Sequence, residues 1–263
     1  RFTLAGMLVI FLGSLLQRRI LRPKKGSFPM IFRLCLAQTV AQYLFFYIGL
    51  AHASGVKSSI IGASNVFLSI FVAVAVFHME KMSMRKLAGC LIGFAGVVLI
   101  NWNGGDLGGG LSLTGEGFLL LSALSYAFSS GMIRKYSERE NPVVLSGYQF
   151  FLGGVALTVC GVAGGGRVAV QAVPAAGWML LGYLAFISAA AYTLWGILLK
   201  YNPVGRVSVF GFMNPVFGVL LSALLLGEGS QAFGMTGIIA LILVCIGIGV
   251  VNGEKREPEK TAQ

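Results

Sequence analysis

Apolar residues in this chain run in blocks of about 17 to 25, the length an α-helix needs to cross the roughly 30 Å hydrocarbon core of a bilayer. Polar residues gather in the short gaps between the blocks. The pattern predicts nine spans: Phe2–Gln17, Met30–Leu50, Ser58–His78, Met84–Trp102, Gly115–Tyr136, Val143–Ala163, Gly177–Lys200, Val204–Leu226 and Gln231–Asn252. Residues 253–263, charged and carrying Pro258, predict a disordered tail. The fold class that follows is all-α: a polytopic membrane helix bundle with little room for a soluble domain.

Composition agrees. The chain is 56% hydrophobic and 11% charged, with a mean hydropathy of +0.83, whereas about a quarter of a soluble domain is charged. A net charge of +11 could serve a nucleic-acid partner, but its distribution assigns it another role. Arg18, Arg19, Arg22, Lys24, Lys25 and Arg33 flank the first connection; Lys81, Arg85 and Lys86 the third; Arg134, Lys135 and Arg139 the fifth; Lys200 and Arg206 the seventh; Lys255, Arg256 and Lys260 the tail. The intervening connections hold only Lys57 and Arg167, with Arg1 at the terminus. That is 17 basic residues against 3, alternating loop by loop. Such alternation is the positive-inside rule, so the excess charge sets topology and predicts a cytoplasmic C-terminus.

A weak internal repeat runs through the spans. Ala41, Tyr43, Ile48, Leu50, Ser59, Gly62 and Asn65 match Ala190, Tyr192, Ile197, Leu199, Ser208, Gly211 and Asn214, 149 positions later. Val66-Phe67 matches Val216-Phe217; Glu80 and Gly89 meet Glu228 and Gly237; and Arg1-Phe2 with Leu4 to Gly6 aligns with Gln149-Phe150 with Leu152 to Gly154. The first four spans pair with the sixth to ninth, and the fifth, Gly115–Tyr136, has no counterpart. The expected organisation is two inverted five-helix repeats, residues 1–102 and 103–252, followed by the tail 253–263. The unmatched span calls for a partner helix before Arg1, missing from this sequence. Inverted repeats of this kind build two access states around one site in membrane carriers.

These residues resemble a known family. Arg1-Phe2 with Leu4 to Gly6 opening a span, Gly89, Gly93 and Gly96-Val97 after Glu80, and Asn214-Pro215-Val216-Phe217 leading to Leu226-Gly227-Glu228 look like the EamA-type branch of the drug/metabolite transporter superfamily. The resemblance covers Arg1 to Asn252. It implies a ten-helix inner-membrane carrier, commonly an exporter of amino acids or other small metabolites, with a central cavity between its halves. Asn65-Val66, where the second half has Asn214-Pro215, departs from the symmetric pattern.

Polar side chains within spans are the candidate site, because a polar group at membrane depth needs a partner or a substrate. Gln38 and Gln42 lie one turn apart; Ser58, Asn65 and Ser69 share one helical stripe; Ser122, Ser125, Tyr126 and Ser129 form another; Ser188, Tyr192 and Trp195 a third; and Asn214 is central in its span. Gln38, Gln42, Asn65, Ser125, Tyr126, Tyr192, Trp195 and Asn214 are the expected substrate-binding residues, with Asn65 and Asn214 facing each other across the cavity. Amides supply donor and acceptor together and rings cover apolar parts, which suits a neutral or zwitterionic solute. The competing reading of the serines is helix packing and bonding to their own backbone. Pro215 either kinks its span or frees a ligating carbonyl.

The nine carboxylates all sit in loops, in the tail or at span ends, so the chain offers no midplane proton relay and no counter-ion for a cationic drug. Glu80 and Glu228 are expected to bond helix ends or nearby cations, with gating as the alternative. Residues Gly104–Gly110 are glycine-rich but lack the Lys-Ser/Thr of a phosphate loop. His52 and His78 fall at opposite faces, and Cys35, Cys90, Cys160 and Cys245 have no ligand spacing, so neither a metal nor a cofactor is expected. Gly89, Gly93 and Gly62 are the expected close helix contacts. The function expected is a secondary carrier of small polar, amino-acid-like metabolites in the bacterial inner membrane, and not an enzyme. The alternative within transport is a nucleotide-sugar or sugar-phosphate antiporter. An intramembrane enzyme would need clustered acids, a metal triad or a Ser/His pair at one depth.

Overall fold

Helices begin and end in this chain close to where the apolar blocks do. The computed structural model describes residues 1–53, 58, 61–101, 112–166, 173–214, 216–217 and 235–253. Among them lie α1 (Phe2–Leu16), α2 (Phe28–His52), α3 (Asn65–Ala75), α4 (Met84–Asn101), α5 (Leu113–Tyr136), α6 (Pro142–Ala163), α7 (Ala175–Tyr201), α8 (Val204–Ser208, continued by the 3-10 turn Val209–Phe212) and α9 (Met235–Asn252). No strand occurs among the described residues. Each predicted block holds one of these helices. On their described residues alone, α2, α5, α6 and α7 are long and apolar enough to cross a membrane.

Local chemistry fixes the helix starts. Asn141 accepts the Val143 N–H at 2.9 Å with Pro142 in the first turn of α6, the arrangement that satisfies otherwise orphaned N–H groups. At α5 the Ser112 hydroxyl accepts the Gly115 N–H at 3.2 Å, and the Glu116 carboxylate accepts the Ser112 N–H at 2.9 Å. This is a reciprocal cap of the capping-box kind, shifted by one residue. Burial follows a membrane protein's logic. Along α7 the small residues Ala185, Ser188, Ala189 and Gly196 face inward, while Met179, Tyr183, Phe186, Leu194 and Leu198 face out.

Glycines set the helix contacts. A Cβ at Gly6 would strike the Phe151 backbone nitrogen, and one at Gly154 the Thr3 backbone nitrogen, so α1 and α6 meet backbone to backbone. Helices α4 and α9 pack as closely: a Cβ at Gly89 would lie 2.8 Å from the Gly247 carbonyl, and one at Gly247 2.6 Å from the Gly93 nitrogen, while one at Gly93 would lie 2.6 Å from the Phe212 ring of the turn after α8. Gly62 does not behave as expected. Among the described residues nothing lies within 4 Å of where its Cβ would be, because its side of the helix is exposed.

Three contacts join distant parts of the chain. The Phe2 ring stacks on Phe150 at 5.5 Å between centroids, the Tyr43 and Tyr192 hydroxyls hydrogen-bond, and a Cβ at Gly96 would come within 2.9 Å of Val244 Cγ2.

The loop carboxylates are structural. Glu80 accepts the Gly205 N–H at 3.1 Å, at the start of α8, and pairs with Lys86 at 3.1 Å. It therefore bonds both a helix end and a cation. Glu140 is buried and accepts the Ser27 hydroxyl at 2.6 Å and the Lys24 N–H at 2.8 Å, tying the connection after α1 to the turn between α5 and α6. Glu228, Pro215, Lys57, Arg167 and the glycine-rich stretch 104–110 lie outside the described residues.

Candidate functional site

Departures from regular helix sit beside the predicted polar residues. The middle of α2, Cys35–Ala41, is π-helix, a geometry that appears mostly as single turns and often at functional sites. It carries Gln38 and hands over to Gln42. Helix α3 begins after a turn at Ser64, whose hydroxyl donates to the Ile61 carbonyl at 2.6 Å, so Asn65 occupies its first position. Asn214 comes two residues after the 3-10 turn Val209–Phe212. Each break gives the adjacent side chain an orientation that a continuous α-helix would not.

Gln38 belongs to a buried polar knot. Gln149 of α6 donates its amide to Gln38 Oε1 at 2.8 Å and accepts the Thr39 hydroxyl at 2.6 Å. All three residues are buried. Gln38 Nε2 has no protein partner. Gln149 and Thr39 were not among the sequence candidates. The only sequence signal for Gln149 was its place opposite Arg1 in the repeat.

One turn further along α2, Gln42 and Tyr43 join an aromatic wall. The Gln42 backbone carbonyl accepts the Ser122 hydroxyl at 2.8 Å, while its side-chain Oε1 is buried without a partner. Tyr43 bonds Tyr192, whose ring meets Phe150 edge-on at 4.9 Å. Tyr126 and Trp195 lie 6.0 Å apart between centroids, and Trp195 Nε1 is buried and unpartnered. Arg1, exposed, reaches this wall from its edge, donating through Nε to Ser188 at 2.9 Å and lying 5.9 Å from the Tyr43 ring. Tyr43 and Arg1 were also missed. The repeat marked Tyr43, and no local spacing signals the bond from Arg1 to Ser188, 187 positions away.

The structure therefore brings Gln42, Tyr192, Tyr126 and Trp195 to adjoining positions on α2, α5 and α7, with Gln38 a turn away. Asn65 stands on α3, which packs against α5. Its Oδ1 is buried without a partner, as is the hydroxyl of Ser69 one turn on. Asn214 differs: it is exposed. A 3-10 turn advances about 120° per residue, against about 100° in an α-helix, which turns the positions after it away from α-helical register. The two asparagines thus do not share an environment. Ser125 is half-buried and has no hydrogen bond among the described residues. Its neighbours Ser129 and Ser130 both donate to the Tyr126 carbonyl, at 2.8 and 3.0 Å.

Buried polar atoms in folded proteins almost always have a partner. Here Gln38, Gln42, Asn65 and Trp195 each present one that the protein does not satisfy. Between them they offer one amide donor, one indole donor and two amide acceptors, with Tyr126 and Tyr192 beside Trp195 and Gln42 and one guanidinium near Ser188. That set suits a small solute with mixed donors and acceptors and an acidic group.

A family model described as the EamA-like transporter family matches residues 1–102 and 113–253. The uncharacterized transporter YvbV of Bacillus subtilis (strain 168) is 25% identical over 261 residues, covering 99% of this chain and 83% of its own. An uncharacterized transporter of Archaeoglobus fulgidus is 27% identical over 234 residues, covering 86% of this chain and 78% of its own. A solved crystal structure superposes with a TM-score of 0.75 at 20% identity, over 95% of this chain and 85% of that one, a likeness of fold.

Proposed function

The chain belongs to the EamA-like transporter family, and from that premise we propose that it is a secondary carrier for small polar or zwitterionic, amino-acid-like metabolites. The observation that carries the reading is the set of buried, unpartnered atoms on Gln38, Gln42, Asn65 and Trp195. A polar atom at membrane depth without a partner costs several kcal/mol by order of magnitude, and a bound solute is what would relieve it. The Arg1 guanidinium beside Ser188 would meet the acidic group of the solute, and Tyr43, Tyr126 and Tyr192 would flank its carbon skeleton. Asn214 and Ser125 are secondary members of this proposal, at its edge.

Alternating access is the mechanism we assign, with residues 1–102 and 103–252 as inverted halves. Three contacts support that symmetry. Phe2 with Phe150, Tyr43 with Tyr192 and Gly96 with Val244 join positions that the sequence repeat pairs. A residue can touch its own image only where the pseudo-two-fold axis passes. A site near that axis is seen equally by both halves, so rocking one half against the other exposes it to each side in turn. The basic loop ends are assigned to the cytoplasmic side of a bacterial inner membrane.

The test is untargeted metabolite profiling of cells with and without the protein, followed by uptake of the implicated solute into proteoliposomes. An amino-acid-like solute that accumulates without the protein, and whose flux falls on Gln42→Ala, is the expected result. Flux of a nucleotide sugar unaffected by Gln42→Ala or Asn65→Ala would overturn the reading.

A further inference from the structure

A cavity lies away from the aromatic wall, at the basic end of the bundle. It measures about 520 Å³ and opens between the segment after α1, the turn between α5 and α6, and the last turn of α7. Five cations line it, Arg19, Arg22, Lys24, Arg139 and Lys200, against two carboxylates. One of the two, Glu140, is already saturated: it holds the Ser27 hydroxyl and the N–H groups of Lys24 and Asn141. Its role is to brace the wall, and Lys24 completes the brace by donating Nζ to the Arg139 carbonyl at 2.7 Å. Among the described residues, Arg22, Arg139 and Lys200 are paired with no carboxylate.

The rim of this cavity is apolar. Ile20, 70% exposed, and Tyr201, 67% exposed, line it with Val143 and Ile197, and Leu16, 83% exposed, ends the neighbouring helix α1. Exposed leucine and isoleucine beside arginines, with a tyrosine at the helix end, mark the level where hydrocarbon gives way to headgroups. A soluble anion would use the cations and leave this rim idle.

We propose that this cavity holds the phosphate headgroup of an anionic phospholipid, with its acyl chains running down the outer faces of α1 and α7. Arginine forks bind phosphate oxygens bidentately, and Lys200 adds a point charge. Basic pockets between membrane helices on the cytoplasmic side bind acidic headgroups by the same means. The inference goes beyond solute transport and stands or falls without it.

The experiment uses the full chain purified in detergent, with native mass spectrometry and melting temperature as readouts. Dioleoyl-phosphatidylglycerol, dioleoyl-phosphatidylcholine, glycerol 3-phosphate and inorganic phosphate are added separately. Phosphatidylglycerol is expected to stay bound and raise the melting temperature, and the other three are not. Each cation near the anionic headgroup contributes about fivefold in affinity, so Arg22→Gln with Lys200→Gln should reduce retention by roughly twenty-fivefold. Both side chains are exposed, so the melting temperature in phosphatidylcholine should not change. Arg85→Gln, an exposed cation elsewhere in the chain, should have no effect. Equal retention of the two lipids, equal protection by glycerol 3-phosphate or phosphate, or an equal loss from Arg85→Gln would each overturn the proposal.

Discussion

The hydroxyls of Tyr43 and Tyr192, 149 positions apart in the chain, share one hydrogen bond in the interior of the bundle. The Phe2 and Phe150 rings stack beside them: Phe2 lies 4.2 Å from Tyr43 and Phe150 4.9 Å from Tyr192, between centroids. Four aromatic rings drawn from four helices thus form one continuous cluster, with its polar atoms paired across the middle. Breaking that pair has a defined consequence.

Tyr192→Phe leaves the buried Tyr43 hydroxyl without its partner, which typically costs about 1–3 kcal/mol, whereas Tyr43→Phe leaves Tyr192 the Gln42 side chain as a partner and should cost less. The double variant removes both polar groups and should lose less than the sum of the two. Melting temperatures of the three purified variants check this, and strict additivity would show that the hydroxyls do not act as a pair.

Gly6→Ala should separate α1 from α6. The added methyl meets Phe151 backbone, which cannot swing away as a side chain can, and overpacking of this kind costs about 1–3 kcal/mol or more. Gly62→Ala, with nothing within 4 Å of the added methyl among the described residues, should be neutral or slightly stabilising. The contrast is read from thermal unfolding in one detergent.

Asn65→Ala removes a buried acceptor that has no protein partner. It should weaken solute binding by about 0.5–1.5 kcal/mol while leaving the melting temperature unchanged. Ser112→Ala, which loses a helix cap, should do the reverse, costing about 1 kcal/mol of stability with no change in Kd. Solute Kd and melting temperature measured on the same preparations separate the two effects. A lowered melting temperature with unchanged Kd for Asn65→Ala would assign that residue to packing.

Burial alone would push the Glu140 carboxyl up. Hydrogen bonds from Ser27 and from the Lys24 and Asn141 N–H groups, with the Lys24 charge, outweigh it and hold the group below its ordinary value. A carboxyl depressed in the folded state contributes stability above its unfolded pKa, near about 4.3 for glutamate, and loses it as pH falls through the folded value. Wild type should therefore lose stability on the acid side of that pH. Glu140→Gln should be less stable at neutral pH and flatter on the acid side, as followed by melting temperature against pH.

Orientation is tested with single cysteines in a background free of Cys35, Cys90, Cys160 and Cys245. Arg19→Cys and Glu138→Cys should react with an impermeant maleimide only after cells are opened. Gly166→Cys, on an exposed turn, should react in intact cells. The opposite pattern would invert the topology.

Apolar block length was the signal for the long helices α2, α5, α6 and α7, because a helix in lipid must satisfy its backbone polar groups by itself. The close contacts at Gly89 and Gly93 were legible for a related reason: small residues four apart make a groove. Gly62 was misjudged because sequence does not say which face of a span meets a neighbour. Glu80 was legible as a loop acid, but its partner Gly205 lies 125 positions away. The knot of Gln38, Thr39 and Gln149 was invisible for that reason too, since no local spacing encodes a bond across 110 or 111 residues. The exposure of Asn214 was hidden by the turn before it, which departs from the 3.6-residue period on which stripe arguments rest.

The π segment Cys35–Ala41 has a mechanical implication. A π turn winds more residues into each revolution than an α turn, so α2 stores slack within its own length. Tightening Cys35–Ala41 into α-helix would twist the two ends of α2 against each other, about 100° for each residue displaced. The amides of Gln38 and Gln42 would then rotate relative to the ends of the helix and to each other, with no rigid-body travel of α2. Such a helix is a screw already cut into the wall of the site.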